Sequence, residues 1–499
     1  MGFLSYWRSP DRCRNYYWRS LSRYISYGLI FCLVIALIAI GASGCQSQAG
    51  IVPPLPQHPK IHVYFNQNQA SRYTDPYRNI ERLGDNLERI IIDNIVKAKT
   101  TVDIAIQELR LPIIAKAIAD AQARGVKVRL ILENKYSRAW SEFTAAEIDK
   151  LSDREQERYK EFQKFVDVDK DGRLSETELN NRDAIKIIKS ANVPWIDDTA
   201  DGSKGSGLMH HKFVVIDNQI VLLGSANFTL SDIHGDFSKP ETRGNANNLL
   251  EIDSKELAAM FKKEFNLMWG DGPNGKPDSL FGTKKTSRKI DYLVIDGAQI
   301  RIKFSPEKES AAREQTSNGL IATAIAGTKK NVDMALFVFS EDFISSILQE
   351  RQQVNVQIRA LIEPRFAYRD YSAALDMWGL QSTQDCKTGK SSTWKQPLKT
   401  VGIPNLVTGD MLHHKFAILD RQLVLTGSHN WSKAANHIND ETLVAIQNET
   451  VAAHYQREFD RLYQDAIFGP TAKLVQATAK SCDQRGKDKP QAPIEEPES

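Results

Sequence analysis

The sequence predicts an α/β protein: two tandem, pseudo-twofold α/β sandwich domains with mixed sheets, an active site at their interface and a small helical insertion in the first. Three observations predict it. One unit is written twice along the chain. Within each copy, short β-rich runs alternate with helical periods. A long polar motif occurs once per copy, at the matching place.

The repeat is direct. VDIAI (102–106) recurs as VDMAL (332–336), VKVRLILE (126–133) as VQIRALIE (356–363), HHKF (210–213) as HHKF (413–416), and the helical stretch Leu257–Trp269 matches Val451–Tyr463. Such self-similarity outranks any local propensity as a fold signal. In chain order, Ile61–Phe65 reads as a strand and Asn86–Ala98 as an amphipathic helix with apolar residues at 87, 90, 91 and 95. Val102–Ile106 is a strand, Leu111–Arg124 a helix and Val126–Leu132 a strand. The domains follow: 45–60 a Pro-containing linker, 61–275 the first domain, 276–298 a linker with Gly-containing turns, 299–468 the second domain, and 469–499 a flexible Pro/Glu-rich tail. Arg129 and His210 are 81 residues apart, whereas Arg359 and His413 are 54 apart. The first domain therefore carries about 27 extra residues, within roughly 150–190.

Composition bounds the function. Charged residues make up 25% and hydrophobic ones 41% of 499 residues. This excludes a multispanning membrane protein, a collagen-like fibre and a disulfide-dense miniprotein. Net charge is +3, but residues 1–44 hold five Arg and one Asp, so the body carries −1. Bulk charge does not point to a nucleic-acid binder. Residues 29–40 (LIFCLVIALIAI) follow that Arg-rich segment and lead into Ala42-Ser43-Gly44-Cys45. The pattern is that of an export signal. It resembles a bacterial lipoprotein signal, which implies lipidation of Cys45. The alternative is an uncleaved anchor over Tyr24–Ala42, its 19 residues just able to span a bilayer. Either way the body is expected outside the cytoplasmic membrane, tethered on its periplasmic or outer face. Cys386 and Cys482 can pair or stay as free thiols.

The chemistry is concentrated in HHKFVVIDNQIVLLGSAN (210–227) and HHKFAILDRQLVLTGSHN (413–430), which both fit HxKxxxxDxxxxxxGSxN without a gap. Each is β-rich on both sides of a polar turn, the mark of a hairpin. Residues two apart on a strand share a face, so His210 points with Lys212 and Ser225 with Asn227, while His211 points away. Lys brings a point charge to an anion; Ser and Asn bring neutral hydrogen-bond donors. An imidazole can attack phosphorus or move a proton near neutral pH. Two copies supply two of each, suited to one phosphate at a pseudo-twofold interface.

This doubled motif resembles the phospholipase D superfamily, over most of residues 61–468. The resemblance implies one active site between fused α/β domains, a covalent phosphohistidine and no catalytic metal. By position it makes His210 the nucleophile and His413 the general acid. Lys212, Lys415, Asn227 and Asn430 would hold the phosphate, with Ser225 and Ser428 supporting. Asp217 and Asp420 complete the catalytic motifs but sit on the turns and read as structural. A downstream acid often orients the histidine in this family, and Glu441 matches that role. Its first-half counterpart is Asn247, not an acid, and Glu251 is four residues out of step.

The insertion has its own motif. Residues 167–178 fit D-x-D-x-D-G-x5-E, with helical flanks at Arg154–Phe165 and Glu176–Ser190. The loop resembles an EF-hand. Asp167, Asp169 and Asp171 supply carboxylates, Arg173 its carbonyl, Ser175 a contact through water and Glu178 two oxygens, a hard donor set that favours Ca2+ in a non-catalytic role.

Three functions follow. The first is a phospholipase D-type phosphodiesterase acting on phospholipid head groups at a membrane. The second is an extracytoplasmic endonuclease of the same superfamily, with DNA as substrate. The third is a non-catalytic calcium-binding surface protein. Trp195, Phe228, Trp394 and Trp431 are candidates for the cleft lining or for core packing.

Overall fold

A computed structural model describes residues 52–203, 207–382, 385 and 392–479. The 1–44 segment, Cys45, Cys386 and Cys482 lie outside the described residues.

The first domain builds one seven-stranded mixed sheet. Its strands are β1 (Ile61–Phe65), β2 (Thr101–Ile106), β3 (Lys127–Leu132), β4 (Trp195–Asp197), β5 (Lys212–Ile216), β6 (Ile220–Gly224) and β7 (Asn248–Asp253), in the order β1-β7-β6-β5-β2-β3-β4. β2 and β3 are parallel, while β2 and β5 are antiparallel. The second domain repeats the arrangement with nine strands. These are β8 (Asp291–Ile295), β9 (Ala298–Ser305), β10 (Asn331–Leu336), β11 (Gln357–Ile362), β12 (Val401–Ile403), β13 (Lys415–Leu419), β14 (Leu423–Gly427), β15 (Glu441–Gln447) and β16 (Ile467–Phe468), ordered β8-β9-β15-β14-β13-β10-β11-β12-β16. The seven common strands match one for one, and the second sheet gains an edge strand at each side. Two expectations are thereby corrected. The 276–298 segment is not only a linker, since alternating apolar residues of Asp291–Ile295 pair it with β9. The 469–499 tail contains a short helix, Ala472–Thr478, capped by Thr471.

The sheets face each other across one shared core. Helix α1 (Lys255–Trp269) of the first domain and helix α2 (Glu449–Gln464) of the second each bury an apolar stripe in that core. Aromatic contacts cross the boundary: Phe261 meets Phe304 at 5.1 Å and Phe65 meets Tyr455 at 5.2 Å between ring centroids. The repeat extends to details. Arg129 pairs with Asp103 and covers the ring of Phe265, just as Arg359 pairs with Asp333 and covers that of Phe459.

Both motif hairpins turn through two residues in the left-handed region, Asp217-Asn218 and Asp420-Arg421, the geometry of a tight hairpin. The glycine of each GS pair is required by close approach. A Cβ on Gly224 would lie 2.2 Å from the Asn248 carbonyl oxygen, and one on Gly427 2.2 Å from that of Thr442.

The insertion forms helices at Asp153–Val166, Glu176–Arg182 and Ala184–Ser190. The expected single helix 176–190 is broken at Asp183, which ends one helix and caps the next through Lys186 N. Ile185 and Ile188 then enter the outer core of the first sheet. Trp394, Trp431 and Phe228 are core residues, and Trp195 packs under Lys189.

The motif aspartates stand at the turns. Asp217 accepts backbone N–H groups of Lys99, Thr100 and Thr101, and Asp420 those of Lys329, Lys330 and Asn331. They fasten each hairpin to the strand beside it, which corrects their inclusion among catalytic residues. Replacing Asp420 by Ala is expected to cost about 1–3 kcal/mol of unfolding free energy in urea titrations, with turnover per folded molecule retained.

Candidate active site

The site forms where the two copies meet through isolated β-bridges. Met209 pairs with Asp440 and Ala246 with Leu412 as bridges across the domain boundary. His210 N donates to the Asp440 carbonyl at 3.0 Å, and His413 N to that of Ala246 at 3.1 Å. These bridges carry the side chains into a crossed set of partners. His210 Nδ1 lies 2.7 Å from Glu441 Oε2, an acid of the second domain. His413 Nδ1 lies 2.9 Å from Asn247 Oδ1, an amide of the first. The neighbouring histidines cross as well: His211 Nδ1 meets Thr442 Oγ1 at 2.8 Å, and His414 Nδ1 meets Asn248 Nδ2 at 3.2 Å. His211 and His414 therefore pin the interface, with their second nitrogens turned to Glu264 and Glu458.

The expected orienting acid is thus present, but on the other copy's histidine. Glu441 serves His210, and it is His413 that has the neutral partner. The carboxylate of Asp232 stands 3.9 Å from His413 Nδ1 and also accepts Asn227 N at 2.7 Å and Asn245 Nδ2 at 2.6 Å. Glu251 is remote, contacting Asn94 on the outer face of the sheet.

Both lysines are buried beside their histidines. Lys212 Nζ donates to Gln107 Oε1 at 2.8 Å and to the His210 carbonyl at 3.0 Å. Lys415 Nζ donates to the His413 carbonyl at 2.8 Å and lies 4.6 Å from the centre of the Phe337 ring. Burial, and then the charges of both lysines, push the imidazoles of His210 and His413 well below the ordinary histidine value. Both are therefore neutral at pH 7. With its Nδ1 proton held by Glu441, His210 presents a lone pair at Nε2. Among the described residues, His413 Nε2 and Asn430 Oδ1 are buried with no hydrogen-bond partner. Two buried lysines beside an unmet imidazole nitrogen are the chemistry of an anion pocket.

Ser225 and Ser428 act through the strand beside them. The Ser225 hydroxyl donates to Asn247 Oδ1 and accepts Asn248 N; that of Ser428 accepts Thr442 N. Four supporting residues went unassigned in the sequence: Gln107, Asp232, Glu133 and Glu363. The last two had a signal, as the shared final Glu of VKVRLILE and VQIRALIE. Glu133 accepts Met209 N at 2.7 Å and Glu363 accepts Leu412 N at 2.9 Å, each holding the residue just before a catalytic motif.

In the insertion loop, oxygens of Asp167, Asp169 and Asp171 lie within 4.8 Å of one another. Gly172 takes the left-handed conformation of the turn, and Arg173 N donates to Asp171 Oδ1. Glu178 stands against the loop. Its carboxylate accepts the loop's Val168 N and, at the start of the following helix, the N–H and hydroxyl of Ser175, closing a capping box.

The family described as "Cardiolipin synthase, PLD-like domain" matches residues 91–269 and 321–463, which contain both motifs. The chain belongs to this phospholipase D-like family. A mitochondrial cardiolipin hydrolase of Xenopus laevis is 22% identical over 187 residues, 36% of this chain and 79% of that protein. The Homo sapiens mitochondrial cardiolipin hydrolase is 25% identical over 150 residues, and the match spans half of its length. The crystal structure of phosphatidylserine synthase from Haemophilus influenzae Rd KW20 shares the fold, with a TM-score of 0.51 and 10% identity over 83% of this chain and 88% of that one.

The electrostatics predict a pH limit. Burial pulls Lys212 down to about 8, against the opposing charges of Glu441 and Asp232. As pH rises through that value the free enzyme loses the cation, so kcat/KM toward bis(p-nitrophenyl) phosphate is expected to fall above about pH 8. Lys212→Arg, which stays charged, is expected to move that limb upward.

Proposed function

We propose that this protein is a phospholipase D-type phosphodiesterase that hydrolyses phospholipid head-group phosphodiesters through a phosphohistidine on His210. The observation that carries this reading is the crossed pairing: one imidazole is backed by a carboxylate, the other by a neutral amide, and both lie in the field of the same two lysines. A bound phosphodiester anion offsets the lysine charges and raises the affinity of His413 for a proton. His210 Nε2 then attacks phosphorus and the bond to the leaving oxygen breaks. His413 gives that oxygen its proton. Neutral His413 next takes a proton from water, the oxygen attacks phosphorus, and the P–N bond to His210 breaks. Lys212, Lys415, Asn227 and Asn430 steady the phosphoryl oxygens throughout.

On this reading, residues 1–44 carry the body out of the cytoplasm, and Cys45 tethers it beside its lipid substrate. The relatives named for cardiolipin hydrolysis support a phospholipid over DNA. The insertion loop is a calcium site, held by Asp167, Asp169, Asp171 and the Arg173 carbonyl with Glu178 in reach. The cation would neutralise the clustered carboxylates and stiffen the insertion, apart from the hydrolytic steps.

Head-group release from phospholipid vesicles, run beside nicking of plasmid DNA, each in EDTA and in calcium, tests the assignment. Lipid turnover that His210→Ala and His413→Ala each abolish is expected, largely preserved in EDTA. DNA nicking without lipid turnover contradicts it, as does any activity that survives both substitutions.

A further inference from the structure

The residue before each histidine's partner differs between the copies. Asp440 precedes Glu441, whereas Ala246 precedes Asn247. The Asp440 backbone is spent on the first motif: its carbonyl accepts His210 N and its N–H donates to the Leu208 carbonyl. Its buried carboxylate meets a cation that Ala246 has no group to receive. Lys285 Nζ stands 2.5 Å from Asp440 Oδ1, and Gly282 N donates to the same oxygen at 3.0 Å.

Lys285 lies in the segment between α1 and β8. Its side chain is fully buried, and its ammonium reaches a second carboxylate, Oε1 of Glu264 on α1, also at 2.5 Å. Arg288 of the same segment stands 3.1 Å from Glu264 Oε2. His211 Nε2 faces Glu264 at 3.6 Å, but burial holds that imidazole below its ordinary value, so it brings no charge at pH 7. Lys285 and Arg288 are thus the cations that balance Glu264 and Asp440. A compact ammonium with its three donors suits carboxylates arriving from two elements; a guanidinium presents a planar fork.

The second copy handles the matching helix glutamate differently. Glu458, the counterpart of Glu264, meets His414 Nε2 at 3.0 Å and is paired at 2.7 Å by Arg461 of its own helix. Leu267 takes the place of Arg461 in α1. A counter-ion one turn along the helix would have served Glu264 alone, and Arg288 already stands beside it. Burying a further ammonium carries a desolvation cost that Glu264 does not call for. What the lysine adds is a tie from α1 of the first domain to the residue just before β15 of the second. The backbone bonds of Asp440 fasten it to residues 208 and 210, which travel with the first motif. Its carboxylate sets where that bridge sits against the helix layer. The next residue is Glu441, whose Oε2 lies 2.7 Å from His210 Nδ1.

We propose that Lys285 is a positioning residue for the attacking histidine: by clamping Asp440 to Glu264 it fixes the Glu441 carboxylate on His210 Nδ1, and with it the direction of the Nε2 lone pair. The inference rests on the phosphodiesterase reading above. It makes the segment between the domains a support of the active site, on the His210 side alone.

The test uses the full chain. Lys285→Met is made beside K285M/D440A, which removes the buried charges as a pair, leaves Glu264 to Arg288 and keeps the test alive where the single variant does not fold. D420A, whose loss falls on stability, is the comparison. Toward bis(p-nitrophenyl) phosphate both Lys285 variants are expected to lose about 10–100-fold in kcat with little change in KM, the scale of a catalytic group misplaced by an ångström. In an E441Q background K285M is expected to add little, because both act through one contact. The proton on His210 Nδ1 is read by NMR in the free protein and assigned by its loss in H210A. It is expected to move in both Lys285 variants toward its position in E441Q, and to stay in place in D420A. An unmoved proton overturns the inference, even in a protein that turns over phosphodiesters. So does a kcat per folded molecule that is unchanged, an equal fall in D420A, or a K285M effect undiminished in E441Q. A proton that moves as expected, in a protein whose wild type turns over no phosphodiester, overturns the hydrolase reading and sustains the positioning.

Discussion

A pair of β-bridges between the two copies is the constraint on which the site depends. Residues 209–210 bridge to 440, and 412–413 bridge to 246, so each motif is completed by the loop that precedes the last common strand of the opposite copy. Neither half contains a finished site. The histidine that would attack takes its carboxylate from the other domain, and the histidine that would move protons takes its amide from the first. The second histidine of each motif contributes through position alone, bonding across the same seam and fixing the two sheets in register. Burying four imidazoles and two lysines carries a desolvation cost. It is offset by this network of hydrogen bonds and by the aromatic core the sheets share.

The crossing also gives the asymmetry a meaning. A repeat this close could have delivered two equivalent imidazoles. Glu441 and Asn247 occupy matching places, one charged and one neutral, and this single difference separates a histidine whose Nδ1 proton is held by an anion from one whose Nδ1 proton meets a dipole. Asp232, 3.9 Å from the second imidazole, supplies a charge at greater range. A proton that must leave and return in one cycle is better served by such a partner than by a tight ion pair.

Much of this was legible in the sequence, for physical reasons. The strand–helix alternation, the two hairpins and their polar turns follow from local periodicity and turn chemistry, and the structure follows them closely. The grouping of His210 with Lys212 and the divergence of His211 follow from the two-residue period of a strand. The crossing was not legible. Alignment of the copies ties Asn247 to the first motif and Glu441 to the second, because sequence order cannot reveal that the loops change partners. Asp291–Ile295 was hidden among linker residues, since an edge strand has half the burial pattern of a central one. The break at Asp183 was masked by continuous helical propensity on both sides.

The most direct measurement is the position of the covalent phosphoryl group. Brief reaction with a labelled phosphodiester, quenched at alkaline pH to preserve a phosphoramidate and followed by peptide mapping, should place the label on His210, the imidazole backed by Glu441. Label on His413 in the wild-type protein, or turnover with no labelled histidine at all, would contradict the division of roles derived from the crossed side-chain partners.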